Sequence, residues 1–138
     1  MKKITFFFAI LFSLAFSYAF AQNNASKGPI ITLKGLQAPE MKDGKQQPIY
    51  TTSDYITKNP SLVSNDPNVE VMEFTAGVGV GKEYTGPFEI KGNTLTQQVI
   101  DVIKKTKGPG VLVFFENIKV KDHGFIRPYT PVILKYDQ

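Results

Sequence analysis

The fold is decided by the stretch at residues 111–121, which reads VLVFFENIKVK. Its first part, from Val111 to Phe115, is apolar at every position, which is typical of a strand that needs cover on both faces. Further along, Ile118 and Val120 alternate with lysines, so one face of the strand becomes solvated. The stretch therefore predicts a long strand that begins in the core and leaves it towards its C-terminal end.

A helix is predicted just before this strand, from Thr94 to Lys107. Apolar residues recur there at the spacing of an amphipathic helix, namely Leu95, Val99, Ile100, Val102 and Ile103. Thr94 and Gln97 have the spacing of a capping box, and Gly108-Pro109-Gly110 ends the element. This helix can cover one face of the 111–115 strand.

Further strands are predicted at residues 29–34, 69–75, 83–90 and 132–136. Residues 37–68 are polar and interrupted by prolines, so they form either a long ordered loop or several short edge pieces. The pattern as a whole predicts a mainly β (α+β) fold. We expect a β-sandwich-like domain with one α-helix, at about 94–107, packed across one sheet.

The N-terminal segment, residues 1–21, has the three zones of a bacterial secretory signal peptide. Two lysines come first, an apolar stretch runs from Ile4 to Phe16, and small residues precede a predicted cleavage after Ala21. The alternative is a membrane anchor, but the apolar stretch is shorter than the roughly 20 residues that cross a bilayer. We therefore expect a periplasmic or secreted single domain at residues 22–138, with residues 22–28 disordered.

Composition excludes several classes of function. The sequence contains no cysteine, which rules out disulfides, a thiolate nucleophile and a lipid-modified cysteine after the signal. Without Lys2 and Lys3, 14 basic residues face 12 acidic ones, a net charge of +2. Nucleic-acid-binding proteins usually carry a concentrated basic stripe, so we predict no nucleic-acid partner.

Few residues suggest catalysis. The glycine-rich stretch from Gly77 to Lys82 lacks the spacing of a phosphate loop, and Glu83 follows where that loop needs Ser or Thr, so we predict a hairpin or bulge. His123 is the single histidine, which excludes multi-histidine metal sites, and it lies in a predicted surface turn. We predict no catalytic residue, no cofactor and no metal.

The C-terminal half carries a family resemblance. It rests on the order and spacing of four segments: Ile90-Lys91-Gly92-Asn93, the helix Leu95–Lys107, the stretch from Phe115 to Lys121, and Gly124 and Arg127 ahead of Pro131-Val132-Ile133-Leu134. In these, residues from about 72 to 136 resemble the C-terminal domain of the gliding-motility protein GldM, a periplasmic component of the type IX secretion and gliding machinery.

The resemblance implies a mainly β, sandwich-like domain with one helix that binds other proteins and catalyses nothing. The chain departs from the family in two ways. It has a predicted signal peptide where GldM has a membrane anchor, and it lacks the several periplasmic domains that precede the C-terminal domain in GldM. The turn at residues 122–124 is also shorter than the family's usual loop. We therefore interpret the chain as a free-standing relative of that domain.

The predicted function is that of an exported, non-enzymatic protein–protein interaction module, associated with a secretion or gliding assembly of the cell envelope. Its partners would be envelope proteins, with no stable membrane insertion after cleavage. The predicted protein-binding residues are Asn93, Asn117, His123 and Arg127. The two asparagines have a structural alternative, because Asn in turns commonly bonds nearby backbone, whereas arginine is enriched at interfaces.

The competing hypothesis is a small extracytoplasmic hydrolase or ligand-binding protein. Its site would lie in the 37–68 segment, with Tyr50, Asp54 and Tyr55 lining a cleft. A deep pocket bordered by two carboxylates, or a serine within hydrogen-bond reach of His123, would favour this hypothesis.

Overall fold

The structure of the protein is a computed structural model that describes residues 28–138. The predicted signal peptide, its cleavage after Ala21 and the polar segment up to residue 27 lie outside the described residues. Within residues 28–138, neither helix is long and apolar enough to cross a membrane.

The main sheet contains six strands: β4 (Ile49–Tyr50), β6 (Val69–Val80), β7 (Glu83–Lys91), β8 (Val111–Asp122), β9 (Phe125–Pro128) and β10 (Val132–Tyr136). Their spatial order is β4-β10-β8-β6-β7, and β9 also pairs with β8. Neighbours are antiparallel except β4 and β10, which are parallel. β10 pairs with the first part of β8 and β9 with the last part, so the strand predicted at residues 111–121 organises the sheet.

The side chains of β8 change sides part of the way along the strand. Val111, Val113 and Phe115 are buried, and the buried positions then continue at Ile118 and Val120. The register is irregular at this point. The three-residue step from Glu116 to Lys119 on β8 lies opposite a two-residue step on β6, and the next step on β6, from Glu73 to Val71, lies opposite a single-residue step on β8. The bulge keeps both halves of β8 facing one core.

A second layer covers the inner face of the main sheet. It consists of helix α1 (Ser53–Lys58), helix α2 (Gln97–Lys105) and a two-stranded antiparallel sheet of β1 (Ile31–Leu33) and β5 (Leu62–Ser64). Residues from these elements and from the main sheet form one contiguous apolar core. The mainly β, α+β fold predicted from the sequence is confirmed.

Helix α2 is the predicted helix, and it is shorter at both ends. It buries Val99 and Ile103, and it ends before Gly108, as the sequence indicates. The predicted capping box is wrong, because the helix begins after Thr96 and the Thr94 side chain pairs with Ser61 instead. Tyr136 of β10 donates a hydrogen bond of 3.1 Å to the backbone carbonyl of Ile103, and burial raises the pKa of Tyr136 to about 12.

The 37–68 segment forms short pieces of structure rather than a long loop. Strands β2 (Met41–Lys42) and β3 (Lys45–Gln46) form a hairpin around Asp43-Gly44, and β4, α1 and β5 follow. Helix α1 was not predicted. Its start is capped by Thr52, whose hydroxyl oxygen accepts a hydrogen bond from the Tyr55 amide at 3.1 Å.

Candidate functional site

The β8–β9 hairpin is the part of the structure where predicted site residues come together. A two-residue turn, His123-Gly124, joins the two strands, and both residues have a positive φ (49° and 90°). Two-residue hairpin turns of this kind match the twist of the flanking strands, and glycine at the second position adopts the conformation without strain. The turn predicted at residues 122–124 is therefore confirmed.

The Asp122 carboxylate contacts both predicted protein-binding residues of the hairpin, His123 and Arg127. Its carboxylate lies 2.5 Å from Nδ1 of His123 and 3.7 Å from Nε of Arg127. The Asp122 side chain is mostly buried, while the side chains of His123 and Arg127 are 62% and 63% exposed. The carboxylate thus orients two exposed basic side chains at one end of the sheet.

Two exposed apolar residues stand between these basic groups. Phe125 is 69% exposed and Ile126 is 66% exposed, and all four residues of β9 are exposed. Neither residue is among those predicted from the sequence, although a signal is present there. Side chains alternate between the faces of a strand, so a Phe-Ile pair placed directly after a tight turn cannot bury both members in a sheet with a single covered face.

Asn93 has structural partners. Its side-chain amide donates a hydrogen bond to the backbone carbonyl of Leu62 at 3.1 Å, and its backbone carbonyl accepts one from the backbone amide of Leu62 at 2.8 Å. These two bonds tie the connection between β7 and α2 to β5. The side-chain bond supplies a structural reason for an asparagine at this position, the alternative left open by the sequence.

Asn117 lies in the β8 bulge, five residues before Asp122. It has a φ of 50°, in the left-handed region that asparagine tolerates better than most residues, and its amide donates to Oγ1 of Thr75 at 3.2 Å. Five residues of strand span about 16 Å, so Asn117 is not adjacent to the turn. It lines a small depression of about 140 Å³ that is also lined by Glu73, Lys91 and Lys119.

An ion-pair network crosses the outer face of the sheet beside this depression. Glu73 pairs with Lys91 on β7, and its other oxygen lies 2.7 Å from Nζ of Lys119 on β8. Hydrogen bonds from Lys119 and Lys91 lower the pKa of Glu73 to about 2. The network joins three neighbouring strands and keeps Glu73 ionised, so this carboxylate cannot serve as a proton donor near neutral pH.

The glycine-rich stretch packs against aromatic rings. Gly77 and Gly79 lie within β6, a turn at Gly81-Lys82 leads into β7, and no helix follows. The Tyr84 ring lies over Gly77, where an added Cβ would come within 2.1 Å of the tyrosine oxygen, and Tyr84 meets Phe114 edge-on with ring centroids 6.1 Å apart. The hairpin interpretation is confirmed, and the glycines make room for the aromatic side chains.

The residues of the competing hypothesis are dispersed. A surface depression of about 580 Å³ lies along residues 35–50, and Tyr50 and Glu40 contribute to its lining. Tyr55 donates its hydroxyl to the Lys34 carbonyl at 2.8 Å, and Asp54 lies in the first turn of α1, so neither lines that depression. Glu40 is the one carboxylate among the residues that line it.

Within the described residues, neither a serine–histidine pair nor a cluster of metal ligands is formed. The hydrogen-bond partner of the His123 ring is Asp122, whereas Ser61 pairs with Thr94 and Ser64 accepts from the Asp66 amide. Over residues 28–138, no three His, Asp or Glu residues are grouped so that they could hold a metal ion. Comparison with known proteins adds no assignment: no family model, no curated protein and no solved structure matches this chain.

Proposed function

We propose that the chain is an exported, non-enzymatic protein–protein interaction module that binds its partner through the β8–β9 hairpin. The observation that carries the proposal is the pair Phe125 and Ile126, each about two-thirds exposed and next to each other in sequence. Arg127 and His123 flank them, held by Asp122. We name this set, residues 122–127, the hairpin surface.

The chemistry of the hairpin surface suits a protein partner. Leaving a phenylalanine and an isoleucine in water forgoes roughly 1.5–3 kcal/mol for each side chain that could be buried. Phenylalanine and arginine are both enriched in protein–protein interfaces relative to the rest of the protein surface. A tight turn fixes the backbone of the hairpin, and the partly buried Asp122 carboxylate contacts His123 and Arg127. Both lower the conformational entropy lost on binding.

The location of the partner is proposed on other grounds. The predicted signal peptide supports a partner in the cell envelope. The resemblance to the GldM C-terminal domain supports a component of a secretion or gliding assembly, and His123 and Arg127 lie in the half of the chain that carries it. Both remain proposals.

Binding of a small molecule is the second candidate function, favoured by the depression along residues 35–50. A volume of about 580 Å³ is sufficient for a small ligand. Glycoside hydrolysis there would need two carboxylates, and Glu40 alone lines the depression. Ligand binding is therefore the better form of this alternative.

The test uses tagged protein covering residues 22–138, which includes the complete described core. Proteins captured from the native envelope are identified by mass spectrometry, produced separately and titrated against the purified chain. We expect Phe125→Ser and Arg127→Ala each to weaken binding about 10- to 30-fold, the range of a residue at the centre of an interface.

Tyr50→Ser is the matched control. Tyr50 is 72% exposed. It pairs across the sheet with Lys135, which pairs with Leu112 of β8, and Leu112 lies about 30 Å along β8 from Asp122. It should bind like the wild type. Equal affinity of all variants for a directly binding partner would exclude the hairpin surface, and turnover of a substrate by the purified chain would overturn the non-enzymatic proposal.

A further inference from the structure

The backbone of β9 divides its hydrogen-bonding groups between two edges. In a hairpin with a two-residue turn, the residues flanking the turn form a hydrogen-bonded pair, here Asp122 and Phe125, and every second residue repeats this orientation. Phe125 and Arg127 therefore direct their N–H and C=O groups at β8. The bond from the Tyr129 amide to the Ile118 carbonyl, 2.8 Å long, continues the same series.

The intervening residues of β9 direct their backbone groups away from β8. Ile126 presents one N–H and one C=O at the outer edge, and Pro128 presents a C=O alone, because proline has no N–H. Within residues 28–138, no strand pairs with this edge. The outer edge of β9 thus offers a single amide donor, and that donor belongs to Ile126, which is 66% exposed.

We propose that β9 pairs with β9 of a second copy of this chain, antiparallel and centred on Ile126, so that the main sheet continues through a symmetric dimer. This inference rests on the proposed function, since it names the partner of the hairpin surface. At the centre, the Ile126 amide of each copy donates to the Ile126 carbonyl of the other. The single outward donor and its carbonyl are both used, and the missing donor at Pro128 costs nothing.

The side chains of β9 are complementary to themselves in this register. The two Ile126 side chains meet on one face of the shared sheet. On the other face, Phe125 of each copy lies opposite Arg127 of the other, in non-hydrogen-bonded pairs where side chains approach most closely. Arginine over a phenylalanine ring is a favourable cation–π contact, and it occurs twice.

This self-complementarity favours a second copy over an unrelated peptide strand. Any extended peptide could use the Ile126 donor, but it would need its own apolar and aromatic side chains at matching positions. The second copy carries them by symmetry, as in other two-fold interfaces. A four-residue edge buries little surface, so we expect a weak, concentration-dependent dimer with a dissociation constant in the micromolar range or above.

The test exchanges Phe125 and Arg127, which lie opposite each other between the two copies of the proposed dimer. Phe125→Arg places two arginines opposite each other at both ends of the pairing, and like charges directly across a strand pair are destabilising. We expect it to weaken self-association at least about tenfold in sedimentation experiments that reach roughly millimolar concentration. The double variant Phe125→Arg/Arg127→Phe restores an arginine opposite a phenylalanine and should return to within about threefold of the wild type.

Amide hydrogen exchange provides the second measurement. The Phe125 and Arg127 amides, which face β8, should be protected at every concentration, whereas protection of the Ile126 amide should rise with concentration. Unchanged thermal unfolding of each variant shows that it is folded. A double variant as weak as Phe125→Arg, or an Ile126 amide that exchanges freely when the chain is concentrated, would overturn the dimer.

The failure of this inference is distinguishable from the failure of the proposed function. A wild-type chain that stays monomeric while Phe125→Ser abolishes binding to an envelope protein would overturn the second copy as partner and leave the hairpin surface intact. Binding to envelope proteins that is unaffected by substitutions in β9 would overturn the hairpin surface as their site. The dimer would still stand in that case if Phe125→Arg weakens self-association and Phe125→Arg/Arg127→Phe restores it.

Discussion

Replacing Gly77 by alanine tests why β6 contains glycines. A Cβ at this position would lie 2.1 Å from the Tyr84 oxygen and within 2.6 Å of two carbons of its ring. These distances are far below van der Waals contact, so the Tyr84 ring must leave the surface of β6. Tyr84 is 49% exposed, which gives the ring room to swing into solvent. The expected result is a folded but less stable protein.

The size of the effect follows from what Tyr84 loses. Aromatic side chains bury about 150–250 Å² when fully covered, so a half-exposed tyrosine forfeits about 100 Å², or roughly 2.5 kcal/mol. The edge-on contact with Phe114 adds about 0.5–1.5 kcal/mol. Alanine in place of glycine within a strand returns about 0.5–1 kcal/mol through backbone entropy. The free energy of unfolding should therefore fall by about 2–3.5 kcal/mol.

A double-mutant cycle in urea separates this cause from others. In a Tyr84→Ser background, Gly77→Ala should cost nothing or stabilise the chain slightly, because no ring remains to be displaced. Gly79→Ala is the matched control, since its added Cβ would lie 3.3 Å from the Phe114 ring, a contact that a small shift relieves. An equal cost of Gly77→Ala with and without the Tyr84 ring would show that displacement of the ring is not the cause.

Two further predictions concern the outer face of the sheet. Glu73→Gln should reduce the loss of stability in acid, because the lowered pKa of Glu73 contributes stability that is present above about pH 4.5 and lost as the pH falls towards 2. Thermal unfolding of the wild type and the variant across that pH range measures the effect. Parallel pH profiles of the two proteins would contradict the role of Lys91 and Lys119. Asn117→Ala should destabilise the chain by about 1 kcal/mol more than Asn117→Gly, because both lose the bond to Thr75 but glycine keeps the positive φ without strain. Equal stabilities in urea would show that the backbone conformation is not the reason for this residue.

The candidate site was only partly predictable. The sequence predicts His123 and Arg127 as turn and interface residues, and the structure brings them together on Asp122. It also predicts Asn93 and Asn117, and both have structural hydrogen bonds at separate places in the fold. Composition and spacing identify polar residues in turns, but the partner of each depends on which strands become neighbours.

Local sequence determined the elements of this protein. The apolar runs determined that β6 and β8 are strands, the helical spacing determined α2, and glycine at the second position of the His123-Gly124 turn allowed a two-residue hairpin. These features are local because they depend on backbone conformation and on the alternation of side chains over a few residues.

Which of these features meet depends on the tertiary structure. Tyr84 covers Gly77 because β7 folds back on β6, and Glu73 binds two lysines because β7 and β8 flank its strand. Phe125 and Ile126 are exposed because β9 pairs only with the end of β8, beyond the layer that covers the core. Pairing between distant strands sets these contacts, and it depends on the free energy of burying the whole core rather than on the preference of any single segment.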